Sequence, residues 1–230
     1  CGMNSCSDDS DPDFIEHDHS ADLVGTWTCL QEGLAEAFVI KADGSVVSTG
    51  VLDGEYWDGI KGSIKTVNNK MTFTFEGGDN YETRFDIIPG VAFSIFNEEG
   101  ERLTYNYCEN DLADEVVGMW VCNDGPQNIE TDMIIRTYGK DGKVATTGIY
   151  TEDGNADPIK NSESNYKVVG DLVFKEFPKD ISDITGITHS AERLIYTPNA
   201  TELGDMMTLF FYLPVGDGFM ESYSSYLRIK

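Results

Sequence analysis

The sequence predicts an all-β protein: two tandem eight-stranded antiparallel up-and-down barrels, preceded by an acidic tether. Three observations predict it, namely an internal repeat, a period-two alternation of apolar residues, and turn residues at regular intervals. The repeat is clearest where Leu23-Val24-Gly25-Thr26-Trp27-Thr28-Cys29 matches Val116-Val117-Gly118-Met119-Trp120-Val121-Cys122. It continues through Phe38-Val39-Ile40, Asp43-Gly44 and Val46–Val51, which answer to Met133-Ile134-Ile135, Asp141-Gly142 and Val144–Tyr150. Thr49-Gly50-Val51 matches Thr147-Gly148-Ile149. An Asp-Gly pair between two β-rich runs marks a hairpin, because the turn needs residues that tolerate positive φ.

The first copy opens with the Trp27 strand and its hairpin. Ser63–Val67 and Met71–Glu76 then flank the tight turn Asn68-Asn69-Lys70, and Tyr81–Ile88 runs into Pro89-Gly90. Val91–Phe96 and Leu103–Cys108 flank Asn97-Glu98-Glu99-Gly100 and complete eight strands. In the second copy Asn165–Val169 and Leu172–Phe177 flank Gly170-Asp171, residues 178–188 read as an insertion, and Ala191–Thr197, Met206–Leu213 and Phe219–Ile229 complete eight again. Alternation supports half-buried strands: Met71, Phe73 and Phe75 share one face while Thr72 and Thr74 share the other. Single helical turns are expected at Ser20–Val24 and Asp111–Val116, each just before a Trp strand. The expected limits are a tether over 1–19, one barrel over 20–109 and a second over 115–230, with Glu109–Asp114 as a linker short enough that the barrels touch. Closing eight strands removes exposed edges and leaves an interior that side chains fill or one small ligand occupies.

Charge excludes one class of partner. The chain carries 41 acidic against 16 basic residues, a formal net charge of −25, so nucleic-acid backbones are repelled and an anionic membrane surface is a poor electrostatic target. No run of about 18 apolar residues occurs, so no membrane-spanning helix is predicted.

The chain begins at Cys1 and reads as processed. Ser7–His19 is acidic and polar apart from Phe14-Ile15 and cannot bury enough surface to offset its ordering entropy. A cysteine followed by Ser-Asp-Asp-Ser-Asp resembles the start of the surface lipoproteins of Bacteroidetes-type bacteria. The resemblance implies lipid on one cysteine, attachment to the outer membrane through that anchor only, and display on the cell surface. Cys1 fits as the first residue left after processing; Cys6 fits because the acidic run follows it directly. Glu16, His17, Asp18 and His19 group possible metal ligands, but a flexible arm pre-organises nothing, so no metal is assigned.

A helical turn followed by Gly-x-Trp on the first strand of an eight-stranded barrel is similar to the lipocalin signature, and it occurs twice, as Gly25/Trp27 and Gly118/Trp120. The resemblance implies that each Gly lets backbone approach closely and each Trp plugs the closed end of its barrel. Typical lipocalins also pack a late Arg over the Trp. Arg228 fits that role in the second copy, whereas the first has Tyr107 and Cys108 there. Both barrels are shorter than typical lipocalins, and closer to compact lipocalin-like domains.

Little points to catalysis. No nucleophile elbow, phosphate loop or dinucleotide fingerprint occurs. His189 and Ser190 are strand neighbours, so their side chains point to opposite faces. Asp153-Gly154-Asn155-Ala156-Asp157 resembles the start of a calcium loop, but Pro158 stands where Gly is needed and Ser164 where the distal Glu is needed. Five cysteines without a CxxC pair support neither a redox pair nor a zinc knuckle, so no catalytic residue, metal or cofactor is expected. Cys29 and Cys122 follow their Trp by two and are expected inward as buried thiols; Cys108 is the third cysteine of the barrels, free to bond to either in an oxidising envelope.

Tyr56 and Trp57, in the loop-like stretch Asp53–Gly59, are the candidate ligand contacts, since such a pair can stack on a sugar or cap an apolar ligand. The function expected is that of an exported, lipid-anchored envelope protein, a non-enzymatic binding module for a small apolar molecule or glycan. The alternative is an accessory surface protein whose barrels are filled and which binds another protein. The oligomeric state is not legible.

Overall fold

A computed structural model describes residues 17–229, apart from 79, 98–99, 123–130, 153–154, 203, 216–217 and scattered positions between 178 and 185. Eight strands close the first barrel: β1 Gly25–Gln31, β2 Leu34–Ile40, β3 Ser45–Leu52, β4 Glu55–Val67, β5 Lys70–Phe75, β6 Asn80–Ile88, β7 Ala92–Phe96 and β8 Arg102–Cys108. After one helical turn, α1 Ala113–Val116, a second closed barrel follows: β9 Gly118–Cys122, β10 Thr131–Tyr138, β11 Lys143–Glu152, β12 Asn155–Val169, β13 Leu172–Glu176, β14 His189–Thr201, β15 Gly204–Val215 and β16 Gly218–Ile229. Every pairing is antiparallel, and all join chain neighbours except the closing pairs β1–β8 and β9–β16. Two tandem barrels of this kind fit a lipocalin-like fold.

The two Gly-x-Trp motifs fold alike. The Trp27 indole donates to Leu23 O at 2.7 Å and the Trp120 indole to Val116 O at 2.7 Å, and both rings are fully buried. Gly25 and Gly118 take the same positive φ, 138° and 139°. At the closing seams Tyr107 stands opposite Trp27, and Arg228 opposite Trp120. Tyr107 packs edge-on to Trp27 at 5.1 Å, while the Arg228 guanidinium lies 4.7 Å from the Trp120 ring and donates to Glu115 O and Val117 O. A tyrosine thus replaces the arginine in the first barrel.

Several expectations are corrected. Residues 55–59 are no loop: they form the start of β4, a strand that begins well before Ser63. The register explains the misreading. Ser48 faces Ile60 and Gly50 faces Trp57, so Asp58 and Gly59 together oppose the single Thr49. Gly59, at φ 65°, is the extra residue of a β-bulge. The second barrel repeats the shift between Thr146 and Gly148, and β12 likewise starts well before Asn165. Met133-Ile134-Ile135 is not the structural match of Phe38-Val39-Ile40: Trp27 pairs with Phe38, and Trp120 pairs with Arg136. The tether also ends earlier than His19. His17 and Asn68 exchange backbone and side-chain bonds, His19 N donates to Thr66 Oγ1 at 2.9 Å, and the His19 ring meets Phe85 edge-on.

The barrels pack side by side. Outward residues Ala35, Ala37 and Val51 of the first and Leu172 and Phe174 of the second form one buried apolar cluster. Asp58 pairs with Lys167, and Arg193 with Asp171, around it. The linker leaves β8 near Trp27 and enters α1 near Trp120, so the two closed ends lie on the same side. Both open mouths therefore point the same way, where the β3–β4 turn meets the second barrel through Thr188 N and Oγ1, bonded to Gly54 O.

Candidate functional site

A cavity of about 430 Å³ opens at this junction of mouths. Its first-barrel wall comes from the ends of β1–β3: Leu30, Leu34, Ala35, Val51 and the Asp53-Gly54 turn. Its second-barrel wall comes from Phe177, Ile187, Ala191 and Phe211. Arg136, Lys175, Glu192, His189 and Ser190 line its polar part, and the Asp53 carboxylate stands exposed at its rim.

Alternation sends Arg136, Lys175 and Glu192 into the second barrel. Arg136 precedes the core residue Tyr138 by two, Lys175 follows core Val173 by two, and Glu192 precedes core Leu194 by two. Arg136 Nη1 lies 3.0 Å from Glu192 Oε2, and Lys175 Nζ lies 3.4 Å from Glu192 Oε1. Side-chain exposure is 14% for Arg136, 16% for Lys175 and 6% for Glu192. Burial by itself would push the Glu192 carboxyl up, but Arg136 and Lys175 outweigh it and hold the group below its ordinary range. Burial pulls Lys175 down despite Glu192. Arg136 stays protonated, because Glu192, Tyr138 and Tyr226 more than offset its desolvation.

The first barrel places a different polar group inside. Glu36 faces inward opposite Cys29 and accepts from Tyr105 OH at 2.6 Å and Ser48 Oγ at 2.7 Å. Burial raises its carboxyl above the ordinary value, against both hydrogen bonds. The Trp57 indole donates to Ser48 Oγ at 2.7 Å, extending the network. Trp57 fits because Gly50, opposite it, lacks a side chain: a Cβ there would stand 2.2 Å from the indole. Phe38, Phe73, Phe93 and Tyr105 fill the rest of this interior.

Of the two aromatic candidates, Trp57 therefore points into the first barrel and Tyr56 points out. Tyr56 stacks on His189 at 4.1 Å and meets Phe174 at 6.0 Å, between the barrels. The structure does not join them into one platform, and neither lines the cavity. Gly25, Trp27, Gly118 and Trp120 hold the closed ends, opposite the cavity. Cys29 and Cys122 are buried and Cys108 is half-buried, with no disulfide among them. Burial raises the Cys29 thiol to about 12 and the Cys108 thiol to about 11. Cys1, Cys6 and Glu16 lie outside the described residues, as do Asp153 and Gly154 of the calcium-like stretch; Asn155–Asp157 are extended backbone of β12. Among the described residues no group of three or more His, Cys, Asp or Glu could hold a metal ion.

Sequence reading missed Arg136, Lys175 and Glu192. The available signal was a charge at a position whose strand parity places it inside, beside Tyr138, Val173 and Leu194. No protein-family model matches the chain, and no curated protein matches it.

Proposed function

We propose that the protein is an exported, lipid-anchored envelope protein of the bacterial outer membrane that binds a small molecule and is not an enzyme. The observation that carries the binding reading is the cavity of about 430 Å³ walled by both barrels. A volume in the range of about 300 to 1,000 Å³, mostly apolar walls and a few convergent polar groups are the usual features of a small-ligand site. Its aliphatic and phenyl walls suit an apolar body better than a glycan, and the one histidine near it, His189, is stacked on Tyr56. The filled interior of the first barrel favours a second reading, an accessory surface protein that binds another protein.

Native mass spectrometry of protein purified from its envelope tests the first reading. The expected result is a co-purifying mass, lost in Ser190→Trp, which fills the cavity from β14. A single unliganded mass in the wild type would favour the second reading. Anchoring rests on the resemblance of the amino-terminal arm and is tested separately. Replacing Cys1 and Cys6 together by Ser in the full precursor is expected to abolish palmitate labelling and release folded protein from membranes. Continued sedimentation of the double mutant with membranes would overturn the anchor.

A further inference from the structure

Among the described residues the buried charges at the cavity do not balance, the other lining acid, Asp53, being exposed on the rim turn. Two cations, Arg136 and Lys175, share one carboxylate, Glu192, and all three are largely buried. Their spacing is uneven: Arg136 sits at 3.0 Å, but Lys175 stands off at 3.4 Å, beyond a strong charged hydrogen bond. Arg136 is also incompletely used. Its guanidinium lies 5.1 Å over the Tyr226 ring, and within the described residues neither its Nε nor the neighbouring Tyr138 hydroxyl has a hydrogen bond of normal geometry. A buried cation without a counter-ion is costly unless something else supplies the charge. In a chain of net charge −25, a surplus of buried positive charge is a local inversion. Aliphatic wall lies beside it, at Leu30, Ala35, Val51 and Ile187.

Resting on the binding reading above, we propose that the cavity selects single-chain amphiphiles with one anionic head group, the head at Arg136 and Lys175 and the chain along the aliphatic wall between the barrels. One net positive charge on the buried trio matches one negative head. A dianion would carry uncompensated charge into an already acidic protein. Neutral or cationic heads would leave the surplus unanswered.

The test uses the full chain and displacement of a neutral fluorescent probe, N-phenyl-1-naphthylamine, at neutral pH. Decanoate, decyl sulfate, 1-decanol and decyltrimethylammonium share one chain length and differ in head charge. Decanoate and decyl sulfate are expected to compete at least about tenfold better than decanol, with the cationic amphiphile weakest. Lys175→Met leaves the Arg136–Glu192 pair balanced and is expected to bring decanoate and decanol together. Glu192→Gln raises the surplus charge and is expected to widen their separation. Thermal melts check that both variants fold. If one variant fails to fold, the opposite response of the other decides. Equal competition by all four amphiphiles, or a decanoate preference unchanged by both substitutions, overturns the charge inference and leaves the cavity reading standing. No displacement by any of them overturns both.

Discussion

Glu36 and Glu192 are both buried glutamates, one in each barrel, yet they respond oppositely to pH. The partners of Glu36 are two neutral hydroxyls, so burial dominates and the folded state prefers the protonated carboxyl. Above the ordinary glutamate value near 4.5 the unfolded chain releases this proton first, so the Glu36 contribution to stability falls as pH rises towards its folded value. Glu192 faces two cations and is held low, so its contribution is full above the ordinary value and is lost as pH falls through the lower folded one. Glu36→Gln keeps the shape and removes the titration, since the Ser48 and Tyr105 hydroxyls can rotate to meet an amide. The variant is expected to be more stable than the wild type in denaturant melts at mildly alkaline pH, with the gap closing as pH falls below the ordinary glutamate value. A pH-independent gap would mean that Glu36 is not neutral in the fold. Neither role was legible from residue type. Strand parity places Glu36 beside Phe38, but whether a buried acid meets a hydroxyl or a guanidinium depends on strands far away in sequence, β8 in one barrel and β10 in the other.

At the scale of elements, the helical turn and the strand after it were legible in both copies because their requirements are local. The turn offers a carbonyl, the Gly takes a φ that other residues avoid, and the Trp four positions after that carbonyl reaches back to it. Trp120→Ala would leave a cavity beneath Arg228 and strand the carbonyl of Val116, so a loss of about 3 to 5 kcal/mol is expected in denaturant melts. A loss below about 1 kcal/mol would place the indole outside the core. Trp27→Ala is expected to cost a similar amount, through Tyr107 and Phe93 rather than through a cation. The strand starts at Glu55 and Asn155 were not legible, because Asp-Gly and Asn-rich stretches read as loops. Here the barrel uses them as bulges: Gly59 takes the positive φ of the inserted residue, and the ladder resumes on both sides. The partner of each Trp was half legible. Arg228 was visible, but nothing in the sequence said that Tyr107 would answer for it.

At the scale of the molecule, the cavity exists only because two barrels dock with their mouths on one side. The short linker predicted contact but not which strands would meet. Leu172-Val173-Phe174 carried the signal, since three successive apolar residues on a strand imply burial on both of its faces. Val173 belongs to the core of its own barrel, while Leu172 and Phe174 pack against Ala35, Ala37 and Val51 of the other. Phe174→Asp would put a carboxylate into this apolar seam without touching either barrel interior. The expected result is two separated unfolding transitions in place of one cooperative melt, with faster proteolysis in the Glu109–Leu112 linker and both buried Trp environments retained in fluorescence. Ligand uptake should be lost at the same time, because Leu30, Ala35 and Val51 would no longer face Phe177 and Ile187. Uptake preserved in a variant whose barrels unfold independently would show that the second barrel holds the ligand alone. The wall supplied by the first barrel would then be incidental, and the resident site would lie wholly around Arg136, Lys175 and Glu192.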